Sequence, residues 1–344
     1  MILLVVTAIA SLRCNSVVTT ERAGSGGTAP TSASTGAEMS ASSSSGAAPT
    51  CIASDGVVFA MDHIDFGEDY NKWTAFGFNL DNLFTLPQQS STKLVCLPDP
   101  NSWEYVPSID GPEGLDNSFG KNILSLYEPF GPITQPTNDS IAKGNFTMLL
   151  DFGKLKTDPV QTSLVTRLYG GAALGSPPKL DGSDCWPVTP ESLAGPSDVE
   201  AASVIFNESS IKGNTWTSGA PATVNLTVSF LQGSKLVLKI HETKMTLELA
   251  SDRKSATKGI LGGVLDTQEL IHEIKKALGA LDDGCNLLPD LDMTVRESSD
   301  ILNDGSQDHT KTCNGISIGF GFTMKAVQLG GIEPAVPSNE KICP

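Results

Sequence analysis

At 344 residues the chain is long enough for two average domains, or for one large β-rich domain with a tail. Its 39 acidic against 23 basic side chains leave a net charge of −16. That excess speaks against a nucleic-acid partner, whose phosphates are held by Lys and Arg, and against direct binding to an anionic membrane surface. Aromatic residues are sparse, whereas 33 Gly and 21 Pro predict a chain of many turns.

Ile2 to Ala10 is apolar apart from Thr7. The run is too short to span a bilayer and matches the hydrophobic region of an export signal, although only Met1 precedes it. Ala8-Ile9-Ala10 fits the small-x-small cleavage rule, and Cys14 stands where a lipoprotein carries its acylated cysteine. Ser11-Leu12-Arg13 departs from the usual lipobox. Residues 23–50 have almost no apolar bulk and cannot offset chain entropy, so they read as a flexible tether. The expected organisation is an export or lipoprotein signal over 1–14, a Ser/Gly/Ala/Thr-rich tether over 15–50, and one β-rich domain over 51–344. The chain is expected outside the cytoplasm, as an outer-membrane or cell-surface lipoprotein or as a secreted protein, touching membrane only through a lipid anchor.

Six cysteines remain beyond Cys14, an even number that predicts three disulfides in an exported chain. None lie in a C-x2-C spacing and the four histidines are scattered, which argues against a zinc site. Cys285 and Cys313 flank one acidic segment and form the expected local pair. The other four cysteines stay open on the sequence: Cys51 and Cys343 bracket the domain, and a clasp between them would leave Cys96 with Cys185.

Within the domain, Gly56 to Met61 reads as a short strand, Trp73 to Leu80 as a second, and Thr92 to Leu97 as a third, stopped by Pro98-Asp99-Pro100. The segments Phe146–Phe152, Leu164–Tyr169 and Ala202–Phe206 follow as further strands. The Gly/Pro/Ser-rich stretch between Gly170 and Glu200, with Trp186 inside it, is too long for a hairpin and predicts an ordered loop over the sheets. Val224, Leu226, Val228 and Phe230 alternate with polar residues, as do Leu236, Leu238 and Ile240, with Gln232-Gly233-Ser234 between them as turn chemistry. A third segment, Met245, Leu247 and Leu249, resumes the alternation. Asp266, with Glu269 three places on, marks the start of the one convincing helix, whose face carries Leu270, Ile271, Ile274, Ala277, Leu278 and Leu281. Ile316 to Met324 alternates throughout, with glycines opposite Phe320 and Phe322 that permit close approach by another sheet, a loop or a ligand. Together these predict an antiparallel β-sandwich, jelly-roll-like, with one amphipathic helix and disulfide staples.

Two acidic runs are the candidate sites. The stretch from Asp110 to Gly120 supplies Asp110, Glu113, Asp116 and Asn117, and the turn from Asp300 to Asp308 supplies Asp300, Asp304 and Asp308. These oxygens suit a structural Ca2+, which takes six to eight hard ligands. They equally suit turns whose Asp and Asn side chains bond neighbouring amides. The spacing is not that of an EF-hand. No H-E-x-x-H, G-x-S-x-G, P-loop or dinucleotide fingerprint is present, so no catalytic residue and no organic cofactor is assigned. Glu242 and Glu248 would share one face of an unbroken strand, which is the solvent face.

Phe76-Gly77-Phe78-Asn79-Leu80-Asp81, Asp116-Asn117-Ser118-Phe119-Gly120, Ser299-Asp300-Ile301-Leu302 and Cys313-Asn314-Gly315-Ile316-Ser317-Ile318-Gly319 resemble an uncharacterised group of bacterial envelope lipoproteins. The resemblance covers most of residues 51–330. It implies export and brings no assigned activity. The functional expectation is an exported, lipid-anchored surface protein binding carbohydrate or an envelope polymer. The alternatives are a glycosidase-like hydrolase using paired carboxylates and a structural envelope component without a small ligand.

Overall fold

Ten strands and three α-helices build the domain in this computed structural model, which describes residues 50–69, 71–86, 95–100, 109–124, 132–195, 198–334 and 341–344. The expected signal over 1–14, Cys14 and all but the last residue of the tether lie outside the described residues, as do residues 92–94 of the third expected strand. In chain order the strands are β1 (Val57–Asp65), β2 (Thr147–Phe152), β3 (Val160–Gly171), β4 (Cys185–Val188), β5 (Val204–Lys212), β6 (Thr215–Thr217), β7 (Ala222–Ser229), β8 (Lys235–Leu249), β9 (Ser255–Asp266) and β10 (Gly315–Ile332). The helices are α1 (Thr134–Ala142), α2 (Thr267–Gly279) and α3 (Leu288–Glu297).

Eight of the strands close on themselves. Each neighbour in the cycle β1-β2-β3-β5-β6-β8-β9-β10 is antiparallel, and β10 returns to β1 with Phe59 opposite Ala326 and Met61 opposite Met324. β4 and β7 lie outside the ring, β4 against β10 and β3, β7 against β8. The architecture is therefore a closed barrel and not the expected sandwich. Both arrangements bury one face of every strand, and the alternation of side chains cannot distinguish them. The second partner of β10 decides it. A ring of eight strands is just wide enough to be filled by its own side chains, and this one is. Phe59 meets Phe152 edge-on at 5.5 Å, Phe152 meets Trp216 at 5.3 Å and Trp216 meets Phe206 at 6.0 Å, so rings from four strands converge in the lumen. Outward positions on β8 carry Lys235, Lys239, Lys244 and Glu248.

The strands β1 and β2 read as unbroken apolar runs because both of their faces are covered. Phe59, Leu150 and Leu168 point into the lumen, whereas Val58, Ala60, Leu149 and Tyr169 pack outside against Trp186, Val188 and Leu193. The Gly170–Glu200 stretch is not the expected loop throughout, because it ends β3 and carries β4, which pairs with β10; Trp186 of β4 is fully buried and its Nε1 donates to Ala172 O at 2.8 Å. The segment Met245–Leu249 proves to be the second half of β8. Its alternation changes phase across a bulge in which Glu242 adopts a φ of 49°, so one 15-residue strand looks like two. The same bulge interrupts the face that Glu242 and Glu248 would share, and Glu248 pairs with Lys258 at 3.1 Å. Trp73–Leu80 is a 3-10 turn followed by irregular chain with one bridge, Phe78 to Asp116. α2 is capped as its sequence predicts, with Asp266 Oδ1 accepting from Gln268 N and Glu269 N. It is joined by α1, whose first amides donate to the distant Glu68 carboxylate, and by α3.

Three disulfides are present, Cys51–Cys185, Cys96–Cys313 and Cys285–Cys343, so the expected local pair Cys285–Cys313 does not form and neither does the clasp between Cys51 and Cys343. Cys313 is carried away from Cys285 because residues 311–313 pair with Leu97 instead. The C-terminus returns to α2, where Cys343 N donates to Lys275 O, and takes up Cys285. Three disulfides fit an oxidising compartment. Replacing Cys96 and Cys313 together by Ser removes a link across 217 residues. It is expected to cost about 2–5 kcal/mol in chemical denaturation, and peptide mapping under non-reducing conditions should recover the three pairs above.

Candidate functional site

The four sequence stretches that carry the resemblance meet at one place on the barrel wall. Gly319 and Gly321 of β10 turn their missing side chains outward, and the Phe76-Gly77-Phe78 segment lies directly on them. A β-carbon at Gly319 would stand 2.4 Å from Phe76 O, and one at Gly321 would stand 2.4 Å from the Phe76 ring. The close approach that these glycines permit is thus used by a loop of the same chain. Asn117 locks the loop to the strand, its Oδ1 accepting from Gly319 N and Gly120 N, both at 3.0 Å. Its Nδ2 donates to Gly319 O and Phe76 O at 3.0 Å and to Trp73 O at 3.2 Å. Beside it, Ser118 N donates to Ser317 Oγ at 2.8 Å, and Asp300 accepts from both Ser317 N at 2.8 Å and Ser317 Oγ at 2.5 Å. Asp116 accepts from Leu80 N at 2.7 Å.

Of the seven residues proposed from sequence as metal ligands, the fold brings four together. Asp110, Asp116, Asn117 and Asp300 line a cavity of about 10 Å3, the room one water molecule needs. Glu113 is exposed on a neighbouring turn. Asp304 and Asp308 lie apart, each accepting from the backbone and hydroxyl two residues on, Ser306 and Thr310. Lys121 reaches the same cavity, donates to Ile109 O at 3.0 Å, lies over the Trp73 ring, and is attracted by Asp300 and Asp110. Burial lowers its pKa against that attraction. Among the described residues no group of three or more His, Cys, Asp or Glu side chains is arranged to hold a metal ion.

The cluster is crowded with carboxylates, and its proton affinity is correspondingly high. Burial pushes Asp116 up to about 9, with the charges of Asp81 and Asp300 adding to it. Burial likewise raises Asp110 to about 6, opposed by its bond from Thr85 N, and raises Asp300 to about 7, opposed by its bonds from Ser317. Asp116 thus keeps its proton at neutral pH, beside Asp110 in the same cavity. A glycoside-cleaving pair needs carboxyl groups held roughly 5–9.5 Å apart in a groove that admits a sugar. These two line a cavity with room for about one water molecule, which suits a structural knot.

A second arrangement was not singled out in the sequence. On the outer wall of β2 and β3, Asp151 and Arg167 stand directly opposite each other, at the floor of a groove of about 600 Å3. The rim is formed by residues 52–55, held near β4 by the Cys51–Cys185 disulfide, and by Val199 and Glu200. Asp151 is buried and accepts from Ser54 Oγ at 3.1 Å, but its contact with Arg167 Nη1 is long, at 3.5 Å. Arg167 Nη2 is 3.7 Å from the exposed Glu200, and its buried Nε meets no acceptor among the described residues. Burial raises the Asp151 pKa against the pull of Ser54 and Arg167. Three acidic residues (Asp55, Asp151, Glu200) and three basic ones (Lys154, Lys156, Arg167) line the groove, with Ser54, Gln161 and Tyr169 among them. A bulge in β3, with Ser163 at a φ of 57°, bends one wall. The available signal in the sequence was a charge at the centre of each of two otherwise apolar strands, Asp151 in Met148–Phe152 and Arg167 in Leu164–Tyr169.

Comparison with protein-family models, with curated proteins and with solved structures finds no match.

Two outcomes follow for the knot. Between the ordinary carboxylate value of 3.8 and about 9, folded Asp116 holds a proton that the unfolded chain has released. Its stabilisation is complete below that lower value and fades as pH rises through the folded one. Melting temperature should therefore fall from pH 5 towards pH 9, and Asp116→Asn, which keeps an acceptor for Leu80 N without the charge, should flatten the decline. Gly319→Ala should cost about 1–3 kcal/mol in denaturant titrations, because its new methyl group overlaps Phe76. Gly331→Ala, with open space around it, should be close to neutral.

Proposed function

We propose that this protein is an exported surface binding protein that takes a neutral, hydroxyl-rich ligand, a carbohydrate or envelope glycan, in the groove over Asp151 and Arg167. The observation that carries this reading is the loose charge pair on the groove floor, with an arginine Nε lacking an acceptor. A buried donor without a partner costs free energy that a ligand oxygen would recover. Carboxylate and guanidinium groups each present paired acceptors or donors, a spacing that adjacent sugar hydroxyls can bridge. The groove lies within the size range of small-ligand sites. Its balanced lining stands out in a chain of net charge −16 and favours a ligand without net charge.

Export is supported by the three disulfides and by the apolar N-terminal run with its polar tether. Attachment through Cys14 agrees with the resemblance to envelope lipoproteins and belongs to the same proposal. A glycan array probed with the full domain, followed by calorimetry on the retained sugars, tests the reading. Arg167→Ala and Asp151→Asn are each expected to weaken binding at least about tenfold, equivalent to about 1.4 kcal/mol, with an unchanged melting profile. Retention of no glycan, or binding indifferent to Arg167→Ala, would overturn it.

A further inference from the structure

Four Asn-x-Ser/Thr tripeptides with no proline at x stand in the sequence: Asn138-Asp139-Ser140, Asn145-Phe146-Thr147, Asn207-Glu208-Ser209 and Asn225-Leu226-Thr227. This is the acceptor pattern for an N-linked glycan in an exported protein. The fold sorts the four. Asn145 in the turn after α1, Asn207 on β5 and Asn225 on β7 are exposed, and among the described residues none of their side-chain amides bonds to another group. Asn138 on α1 is the contrast. Its side chain turns onto β1, with Oδ1 accepting from Ile64 N at 2.8 Å and Nδ2 donating to Ile64 O at 2.9 Å. Asn145 and Asn225 open on a crevice of about 650 Å3 beside β7, which leaves room for a first sugar on each. Asn207 shares an outward face with Ile205, two residues before it. Ile205 and, on the paired strand β3, Val165 are exposed apolar side chains of the barrel wall, and a hydrated glycan at Asn207 would cover them.

We infer that the protein carries N-linked glycans at Asn145, Asn207 and Asn225 and none at Asn138. The donor is a lipid-diphosphate-linked oligosaccharide, and a transferase of the secretory compartment carries out the step. The amide Nδ2 bonds to the anomeric carbon as the bond from that carbon to the phosphate oxygen breaks. The lipid diphosphate leaves with the electron pair, the amide gives up one proton, and nothing is oxidised or reduced. Transfer precedes folding, because the transferase must reach the hydroxyl two residues after the asparagine. In the folded chain Thr147 and Ser209 are buried, their hydroxyls donating to Met61 O at 2.7 Å and Leu164 O at 2.6 Å. The fold then decides which glycans are tolerated, since one on Asn138 would have to part α1 from β1. This inference rests on export from the reading above, and not on the groove over Asp151 or on Cys14.

The test uses the full chain isolated from its own cells. It is treated with the amidase that releases N-linked glycans and leaves aspartate in place of the asparagine, and its peptides are mapped by mass under non-reducing conditions. Asn145, Asn207 and Asn225 should be converted and Asn138 should not, and electrophoretic mobility should change by three steps. Asn145→Gln, Asn207→Gln and Asn225→Gln, expressed in the same cells, should each remove one step, since each side chain is exposed and its loss leaves the core intact. A chain with all three disulfides formed and no asparagine converted overturns the inference and leaves export standing. A chain whose six domain cysteines are free thiols overturns both. Glycan on Asn138 of the folded chain overturns the sorting by the fold.

Discussion

The pairing of β10 with β1 is the constraint from which the rest of the structure follows. It joins the last strand to the first and closes the ring, and it leaves no lateral edge within the cycle at which further chain could be added. Everything else must therefore pack on the outside or across the ends. β10 is 18 residues long and serves three neighbours in turn, β9, β1 and β4. Its glycines give a stretch of wall on which a loop backbone lies directly. The Asn117 side chain fastens that loop by using its amide as a backbone group would, one donor and one acceptor to Gly319.

Two clusters of charge meet different fates on this scaffold. The acids around Asp116 are drawn inward by their bonds to Leu80, Thr85 and Ser317, and the cavity between them is too small for anything beyond water. Crowding of like charges in a poorly solvated place is relieved by retained protons and by the ammonium of Lys121. At the Asp151–Arg167 pair the charges are opposite and balanced, yet the geometry is slack and a groove lies above it. The first arrangement is saturated by the chain's own groups. The second leaves hydrogen-bonding capacity over, because the Arg167 Nε meets no acceptor among the described residues.

Closure also explains the departure of β7. β5 and β8 are joined in the ring only through the three residues of β6. Beyond them the chain bends away at Ser218–Pro221, following β8 and leaving β5, so the crevice is a consequence of how the ring is completed. The long strand β8 bridges the two regimes, in the barrel over its second half and in the projecting hairpin over its first.

Much of the local structure was legible in the sequence. Short apolar runs located β1 to β3 and β5, period-two alternation located β7, β8 and β10, and Asp266 with the apolar face after it located α2, because these signals depend only on near neighbours and on burial. The glycines of β10 announced a close approach, and the acidic loops supplied Asp110, Asp116 and Asn117, which the fold brings to one cavity with Asp300. Three things depended on contacts between residues far apart in the chain. Barrel rather than sandwich rests on a strand pairing across more than two hundred and fifty residues, and alternation is identical in both. The disulfides follow from where loops land, which sequence spacing does not encode. The groove exists because two single charges in apolar strands fall opposite one another by register. The sequence by itself determined which faces are buried and where the turns lie; the tertiary structure decided which distant segments meet, since each such meeting is selected by the packing of the whole ring and by no local preference.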